Sequence, residues 1–183
     1  MANHEIIIAG FGGQGLLFSG KVLAYAGLLE NRELSWLPSY GPEMRGGTAN
    51  CNVILSDTPV GSPIVQHPNV LMVMNEPSID KFEPAVAAGG TVFVDSSLIS
   101  RKVARDDVEA VYIPATEMAK DMGAAGLANM ILLGAIVRRT GCVKSETVTQ
   151  ALKEVISARK ADLLGLNLKA VELGEKYIEE HGQ

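Results

Sequence analysis

A run of isoleucines that leads directly into a cluster of glycines constrains this chain most. Residues 6–15 read Ile-Ile-Ile-Ala-Gly-Phe-Gly-Gly-Gln-Gly, and Leu16, Leu17 and Phe18 follow. β-Branched residues favour a strand, closely spaced glycines permit a tight turn, and the apolar residues after them begin a pattern of helical period. The sequence therefore predicts the first strand, turn and helix of an open α/β sheet.

The glycine turn is a candidate anion site, because a helix starting there would point free backbone N–H groups at one spot. Its spacing fits the dinucleotide fingerprint. A nicotinamide site also needs an acidic residue about 20 residues further on, where this chain has Trp36–Gly41 and no carboxylate. The alternative is that the glycines only let the helix pack closely on the sheet. The candidate residues of the turn are Gly10, Gly12, Gly13, Gln14 and Gly15.

A second unusual segment runs from Trp36 to Cys51 and contains two prolines and three glycines. It predicts a fixed, non-helical loop at the carboxyl end of a strand, where open sheets bind ligands. Arg45 could bind a phosphate or carboxylate through its guanidinium, or it could pair with Glu43 or with a neighbouring subunit. The candidate binding residues here are Tyr40, Glu43, Arg45, Gly46 and Gly47.

The remaining pattern predicts one domain over residues 1–183 with a three-layer, Rossmann-like open sheet and helices on both faces. Continuous apolar runs at 70–74 and 91–95 indicate buried parallel strands. The strand at 50–55 follows its predecessor without a helix, so we expect at least one antiparallel strand. Asn129 is the polar residue inside an apolar helix, so it either contributes to a binding site or bonds to the backbone of a nearby loop.

Composition excludes several classes of function. The net charge of −5 and the 5% aromatic content argue against a nucleic-acid partner. No apolar stretch reaches the roughly 18 residues that a membrane span needs, and we expect a cytoplasmic protein without a membrane partner. Two isolated cysteines and three scattered histidines predict no metal site. No catalytic triad, carboxylate pair or P-loop lysine is present, so we expect no catalytic residue in this chain.

The two motifs together resemble the gamma subunit of 2-oxoacid:ferredoxin oxidoreductases. The residues that carry the resemblance are Gly10–Gly15 and Tyr40–Cys51, and the helix around 129–135 is also similar. The resemblance extends from Glu5 to about Lys176. The second motif looks most like the 2-oxoglutarate and branched-chain 2-oxoacid types, and less like the pyruvate type.

The resemblance implies a cytoplasmic complex that decarboxylates a 2-oxoacid on thiamine diphosphate with Mg²⁺, passes electrons through iron-sulfur clusters to ferredoxin, and transfers the acyl group to coenzyme A. Its implied partners are alpha, beta and ferredoxin-like delta subunits, which would hold those cofactors. This chain would bind none of them firmly alone and would be inactive alone. It would help to form the coenzyme A side and the subunit interface. The competing interpretations are a free-standing dinucleotide-binding oxidoreductase and a non-catalytic assembly module.

Overall fold

A six-stranded mixed sheet with the order β2-β3-β1-β4-β5-β6 forms the centre of the molecule. The computed structural model describes residues 3–39 and 48–182. The strands are β1 (His4–Phe11), β2 (Glu33–Ser39), β3 (Thr48–Ser56), β4 (Val70–Val73), β5 (Thr91–Asp95) and β6 (Glu109–Ile113). Strands β1, β4, β5 and β6 are parallel neighbours, whereas β3 runs antiparallel to both β1 and β2. The predicted fold class is confirmed.

Within the described residues, six α-helices cover the two faces of this sheet. They are α1 (Leu16–Leu29), α2 (Glu76–Phe82), α3 (Ala115–Asp121), α4 (Ala128–Thr140), α5 (Ser145–Val155) and α6 (Ala161–His181). The larger core lies between one sheet face and α1, α3, α4, α5 and α6. Helix α2 covers the opposite face around Ile79, together with Val65 and Ile99 from loops. No helix in the described part of the chain is long and apolar enough to cross a membrane.

Local chemistry explains where several elements begin and end. The side chain of Asn75 accepts a hydrogen bond from the Ser78 amide at 2.9 Å, and Pro77 lies in the first turn of α2, which is the expected start of a helix. Helix α4 ends at Gly141, whose φ of 61° gives the left-handed conformation common at helix ends. Lys144 occupies the N-cap position of α5 and makes no side-chain capping hydrogen bond.

The predicted loop from Trp36 to Cys51 is too long at both ends. Residues Trp36–Ser39 belong to β2 and Thr48–Cys51 belong to β3. Pro38 fits because β2 is an edge strand, where a missing N–H costs no ladder hydrogen bond on the open side. The segment 40–47, which carries the candidates Tyr40, Glu43, Arg45, Gly46 and Gly47, lies outside the described residues.

The directions of α4 and α6 follow from contacts at the two sheet edges. The carboxyl edge is where β1, β4, β5 and β6 end. Helix α4 starts there, because Asn129 contacts Gly15. Helix α6 ends at the opposite, amino edge, because Arg139 bonds both the carbonyl oxygen of Gly182 and the carboxylate of Glu109, the first residue of β6. The first turn of α6 therefore points towards the carboxyl edge.

Candidate functional site

The glycine turn connects β1 to α1 at the carboxyl edge of the sheet. The Gln14 amide donates a hydrogen bond to the Phe11 carbonyl at 3.3 Å, which closes the turn. Gly15 precedes α1 with φ 75°, and Gly13 has φ 92°. Both values lie in the region that glycine adopts at no steric cost. The amides of Gly12, Gly13 and Gly15 have no acceptor among the described residues, so they are free to bind a ligand oxygen.

The side chain of Gln14 fills the crevice between the ends of β1 and β4. Its Oε1 accepts a hydrogen bond from the Phe11 amide at 2.6 Å, and its Nε2 donates to the Met74 carbonyl at 3.2 Å. A Cβ on Gly10 would lie 2.4 Å from that Oε1, so Gly10 provides the space that Gln14 occupies. Dinucleotide-binding folds place a pyrophosphate in this crevice. In this chain the side chain of Gln14 occupies it instead.

The side chain of Asn129, on α4, holds the glycine turn in place through hydrogen bonds. Its Nδ2 donates to the carbonyl oxygen of Gly15 at 3.0 Å and to Ser19 Oγ at 2.9 Å. Asn129 is 2% exposed, and a Cβ on Gly15 would lie 2.5 Å from its Nδ2. The expectation that Asn129 bonds to a nearby loop backbone is therefore confirmed. Its Oδ1 has no partner among the described residues, and a direct role in ligand binding stays a prediction.

An apolar cleft of about 280 Å³ opens on the outer side of the turn. Its floor is the glycine backbone and its walls are side chains of the first turn of α1 and of the two adjacent strands. Phe11 is 42% exposed at its rim. The lining residues described in the structure are all uncharged: Phe11, Gly12, Gly13, Gly15, Leu16, Leu17, Phe18 and Ala49. Backbone amides between apolar walls can hold a carbonyl or phosphate oxygen joined to an apolar chain.

The two strands that flank segment 40–47 end beside this cleft. Phe11 pairs with Thr48, and Ser39 pairs with Asn50. The described ends of the second motif therefore lie at the same edge as the glycine turn. Strand β3 separates β2 from β1, which places the end of β2 about 9.5 Å from β1. Ser39, the last residue of β2, is thus one strand further from the turn than the acidic residue of a nicotinamide site would be.

Two other residues near this edge have structural roles. Asp95 ends β5, but its carboxylate accepts hydrogen bonds from Ser97 N, Thr116 N and Thr116 Oγ1, and so it holds the start of α3. Cys51 is fully buried, and burial raises the pKa of its thiol to about 12. It donates to the Leu16 carbonyl at 3.5 Å. Neither group is available to a ligand in the cleft.

The apolar walls of the cleft were missed from the sequence. Leu16, Leu17 and Phe18 were interpreted only as the start of a helix. Three consecutive apolar residues cover more than one face of a helix, and Leu17 and Phe18 are in fact only partly buried. The three consecutive apolar residues in the first turn of α1 were the sequence signal for an exposed apolar surface beside the glycine turn.

These features define a Rossmann-like domain with a glycine turn that is closed towards the sheet and open towards an apolar cleft. The family model described as pyruvate ferredoxin/flavodoxin oxidoreductase matches residues 5–177. The chain belongs to this family. The resemblance drawn from the two sequence motifs is therefore confirmed.

Curated relatives and a solved structure support the same assignment. Ketoisovalerate oxidoreductase subunit VorA of Methanothermobacter thermautotrophicus is 42% identical over 97% of this chain, which spans only 37% of that relative. The 2-oxoglutarate synthase subunit KorC of Methanocaldococcus jannaschii is 36% identical over 83% of each chain. The keto/oxoacid ferredoxin oxidoreductase gamma subunit of Geobacter sulfurreducens superposes with a TM-score of 0.82 at 30% identity, covering 94% of this chain and 96% of that chain.

Proposed function

We propose that this chain is the gamma-type component of a 2-oxoacid:ferredoxin oxidoreductase complex, and that residues 1–183 act as one domain within it. Its partners would be alpha, beta and ferredoxin-like delta subunits, and its substrate would be 2-oxoglutarate or a branched-chain 2-oxoacid. The family assignment supports this role. The observation that carries it is a preformed cleft of backbone amides and apolar walls whose described residues include no acid or base.

The described residues do not fit the redox groups of such a complex. Iron-sulfur clusters need thiolate ligands. Both cysteines are buried in the apolar core, and burial raises the pKa of Cys51 and of Cys142. When bound to partner subunits, thiamine diphosphate with Mg²⁺ would supply the decarboxylation chemistry, and the clusters would carry electrons to ferredoxin.

The cleft does fit part of coenzyme A. The free amides of Gly12, Gly13 and Gly15 can donate to amide carbonyl or phosphate oxygens, and Leu17 and Phe18 can pack against an apolar chain. No basic side chain lines the described part of the cleft. We therefore infer that phosphate charge is balanced by Arg45 of the second motif or by a partner subunit. Gln14 and Asn129 would keep the amides in place, and coenzyme A would arrive without reshaping the turn.

The test is a reconstituted complex made with and without this chain. We expect 2-oxoacid-dependent reduction of a viologen dye only when this chain and its partner subunits are present together. Leu17→Ala with Phe18→Ala should raise the KM for coenzyme A several-fold and leave the KM for the 2-oxoacid unchanged. Leu28→Ala, an exposed leucine at the other end of α1, is the matched control.

Other outcomes would point to the competing functions. Turnover by the isolated chain, or its tight binding of NAD in calorimetry, would favour a free-standing dinucleotide enzyme. If the complex with the Leu17/Phe18 variant assembles normally and keeps wild-type coenzyme A kinetics, the proposed role in coenzyme A binding is wrong. This chain would then act only as an assembly module.

A further inference from the structure

The two edge strands of the sheet differ in what covers them. On β6, Tyr177 of α6 donates its hydroxyl to the Tyr112 carbonyl at 3.1 Å, and Arg139 of α4 binds the carboxylate of Glu109. Within the described residues, no strand pairs with the outer side of β2. This strand is seven residues long, and its charged side chain, Glu33, stands at its first position. An edge strand without charge along its length is a template for pairing with another strand.

The pairing pattern identifies which backbone groups of β2 point outwards. The carbonyl oxygens of Glu5 and Ala9 accept hydrogen bonds from the β4 side, so the residues between them direct their backbone groups towards β3. Following this alternation through β3 leaves the backbone groups of Leu34, Trp36 and Pro38 on the open side of β2. The edge is therefore a row of backbone donors and acceptors.

This row is short and bounded at both ends. Pro38 has no N–H group to donate, and the Arg32 amide donates to the Gly27 carbonyl at 2.9 Å. Two donors remain between these limits, the amides of Leu34 and Trp36. Neither has an acceptor among the residues that the structure describes. An antiparallel copy of the same row satisfies both donors, because each residue can then exchange N–H···O bonds with the other.

Helix α1 lies above the boundary between β2 and β3. A Cβ on Gly27 would lie 2.5 Å from Leu55 of β3 and 3.7 Å from Leu34 of β2, and a Cβ on Gly20 would lie 3.0 Å from Trp36 Nε1. The middle of α1 is therefore above the midpoint between the two open donors. With strands about 4.8 Å apart, pairing β2 with β2 of a second copy places the two α1 helices about 10 Å apart. Packed helices are separated by about 8–10 Å.

The side of α1 above the open edge carries uncovered apolar surface. Ser19 faces α4, since its Oγ accepts a hydrogen bond from Asn129. The opposite side of the helix carries Lys21, Ala24 and Leu28, at spacings of three and four residues. Leu28 is 61% exposed. A single added peptide strand would leave this leucine in water, whereas α1 of a second copy would cover it and would meet the small Ala24 at the middle of the helix.

The charges in this region permit two copies to approach. The whole chain has a net charge of −5, which would make most of its faces repel one another. Residues 16–39, which form α1 and β2, contain equal numbers of basic and acidic side chains: Lys21, Arg32, Glu30 and Glu33. The face that would meet a second copy is thus locally neutral.

We propose that two copies of this chain associate through their β2 strands, which pair antiparallel about a two-fold axis at Ser35. Leu34 of each copy bonds Trp36 of the other, the two sheets become one continuous sheet, and α1 packs on α1 across the axis. This is an isologous interface, in which the same surface is used by both copies. The inference is independent of the proposed function, because it uses only the edge strand and the helix above it.

A cysteine on the proposed axis tests the pairing directly. Ser35 and Ser35 of the second copy would form a non-hydrogen-bonded pair with Cα atoms about 4.5 Å apart, within the range of about 4.4–6.8 Å that a disulfide spans. The matched control is Ser39, on the same strand, whose two copies would lie about 27 Å apart. The native residues Cys51 and Cys142 are buried. We expect diamide to link Ser35→Cys into a disulfide dimer on a non-reducing gel, and to leave Ser39→Cys as a monomer.

Sedimentation velocity of the full chain over a range of concentrations measures the association itself. We expect a monomer–dimer equilibrium whose dissociation constant rises roughly tenfold or more in Leu28→Glu. Leu163→Glu, at a leucine that is 40% exposed on α6, is the matched control and should dimerise as wild type. Circular dichroism of each variant verifies its fold.

Three outcomes would overturn the proposal. The first is a wild-type chain that stays monomeric at every concentration. The second is cross-linking of Ser35→Cys that is absent or no faster than that of Ser39→Cys. The third is a dimer that Leu28→Glu does not weaken, which would place the contact on another face.

Discussion

The Nδ2 atom of Asn129 lies 3.0 Å from the carbonyl oxygen of Gly15, although 114 residues separate them in sequence. This contact joins the start of α4 to the start of α1 at the floor of the cleft. It explains why an apolar helix carries an asparagine at this position. It also explains why position 15 needs glycine, since a side chain there would collide with Asn129.

Replacing Asn129 by alanine should lower the free energy of unfolding by about 2 kcal/mol, because it leaves the Gly15 carbonyl without its side-chain donor. Ser19→Ala removes one acceptor of the same amide and should cost about 1 kcal/mol. Urea denaturation of the purified variants measures both. An unchanged midpoint for Asn129→Ala would show that the contact does not stabilise the turn.

Gly10 and Gln14 should behave as a coupled pair. Gly10→Ala places a methyl group 2.4 Å from Gln14 Oε1 and should cost about 2 kcal/mol through overpacking. Gln14→Ala loses two hydrogen bonds near solvent and should cost about 1 kcal/mol. The double variant should cost less than the sum, because the truncated glutamine no longer meets the new methyl group. Additive losses in a thermodynamic cycle would argue against the steric explanation.

Helices α4 and α6 cross too closely for side chains at the crossing point. A Cβ on Gly134 would lie 2.0 Å from the carbonyl oxygen of Val171, so Gly134→Ala should destabilise the protein by about 3 kcal/mol. Gly165→Ala, in the exposed part of α6 with no neighbour, should stabilise by roughly 0.5–1 kcal/mol. Thermal unfolding followed by circular dichroism distinguishes the two. Equal effects of both substitutions would contradict the close crossing.

The Cys51 thiol should respond to pH only when the protein unfolds. With a pKa of about 12 in the folded state, roughly one thiol in ten thousand is ionised at pH 8. We therefore expect iodoacetamide to alkylate Cys51 only after denaturant has unfolded the protein. Folding raises this pKa above its ordinary value near 9, so the folded state favours the protonated thiol. The contribution of this thiol to the free energy of unfolding is therefore fully present below pH 9 and is lost as the pH rises towards 12. Cys51→Ala should flatten that alkaline decline. Fast labelling of the folded protein at pH 8 would contradict the assigned burial.

The sequence predicted the order of strands and helices well because most of them are marked by local patterns. Neighbouring residues alone were enough to predict the isoleucine-rich β1, the apolar strands β4 and β5, and the start of α2 at Asn75 and Pro77. Asn129 could be singled out because it interrupts an apolar helix. The contact of Asn129 with Ser19 and Gly15 could not be predicted, because this contact depends on how α4 packs across the sheet.

The features that the sequence did not predict depend on contacts between residues far apart in the chain. Residues 33–37 were predicted as a strand, but Pro38 and Ser39 were expected to lie in the loop of two prolines and three glycines. Only the position of β2 at the sheet edge makes that proline acceptable in a strand. Gln14 was grouped with the glycines as a candidate binding residue, and the structure adds that its side chain donates to the Met74 carbonyl, 60 residues away in sequence. Neither arrangement has a signature in neighbouring residues.

Strand β1 starts, and helix α6 finishes, at the amino edge of the sheet, opposite the glycine cleft. Extra polypeptide joined at either terminus would therefore emerge on the side of the sheet away from the cleft. A domain of this kind can be carried within a longer chain, as in the VorA relatives of which it spans 37%, or be made as a separate subunit. In both cases the edge of the sheet that carries the cleft lies away from the junction.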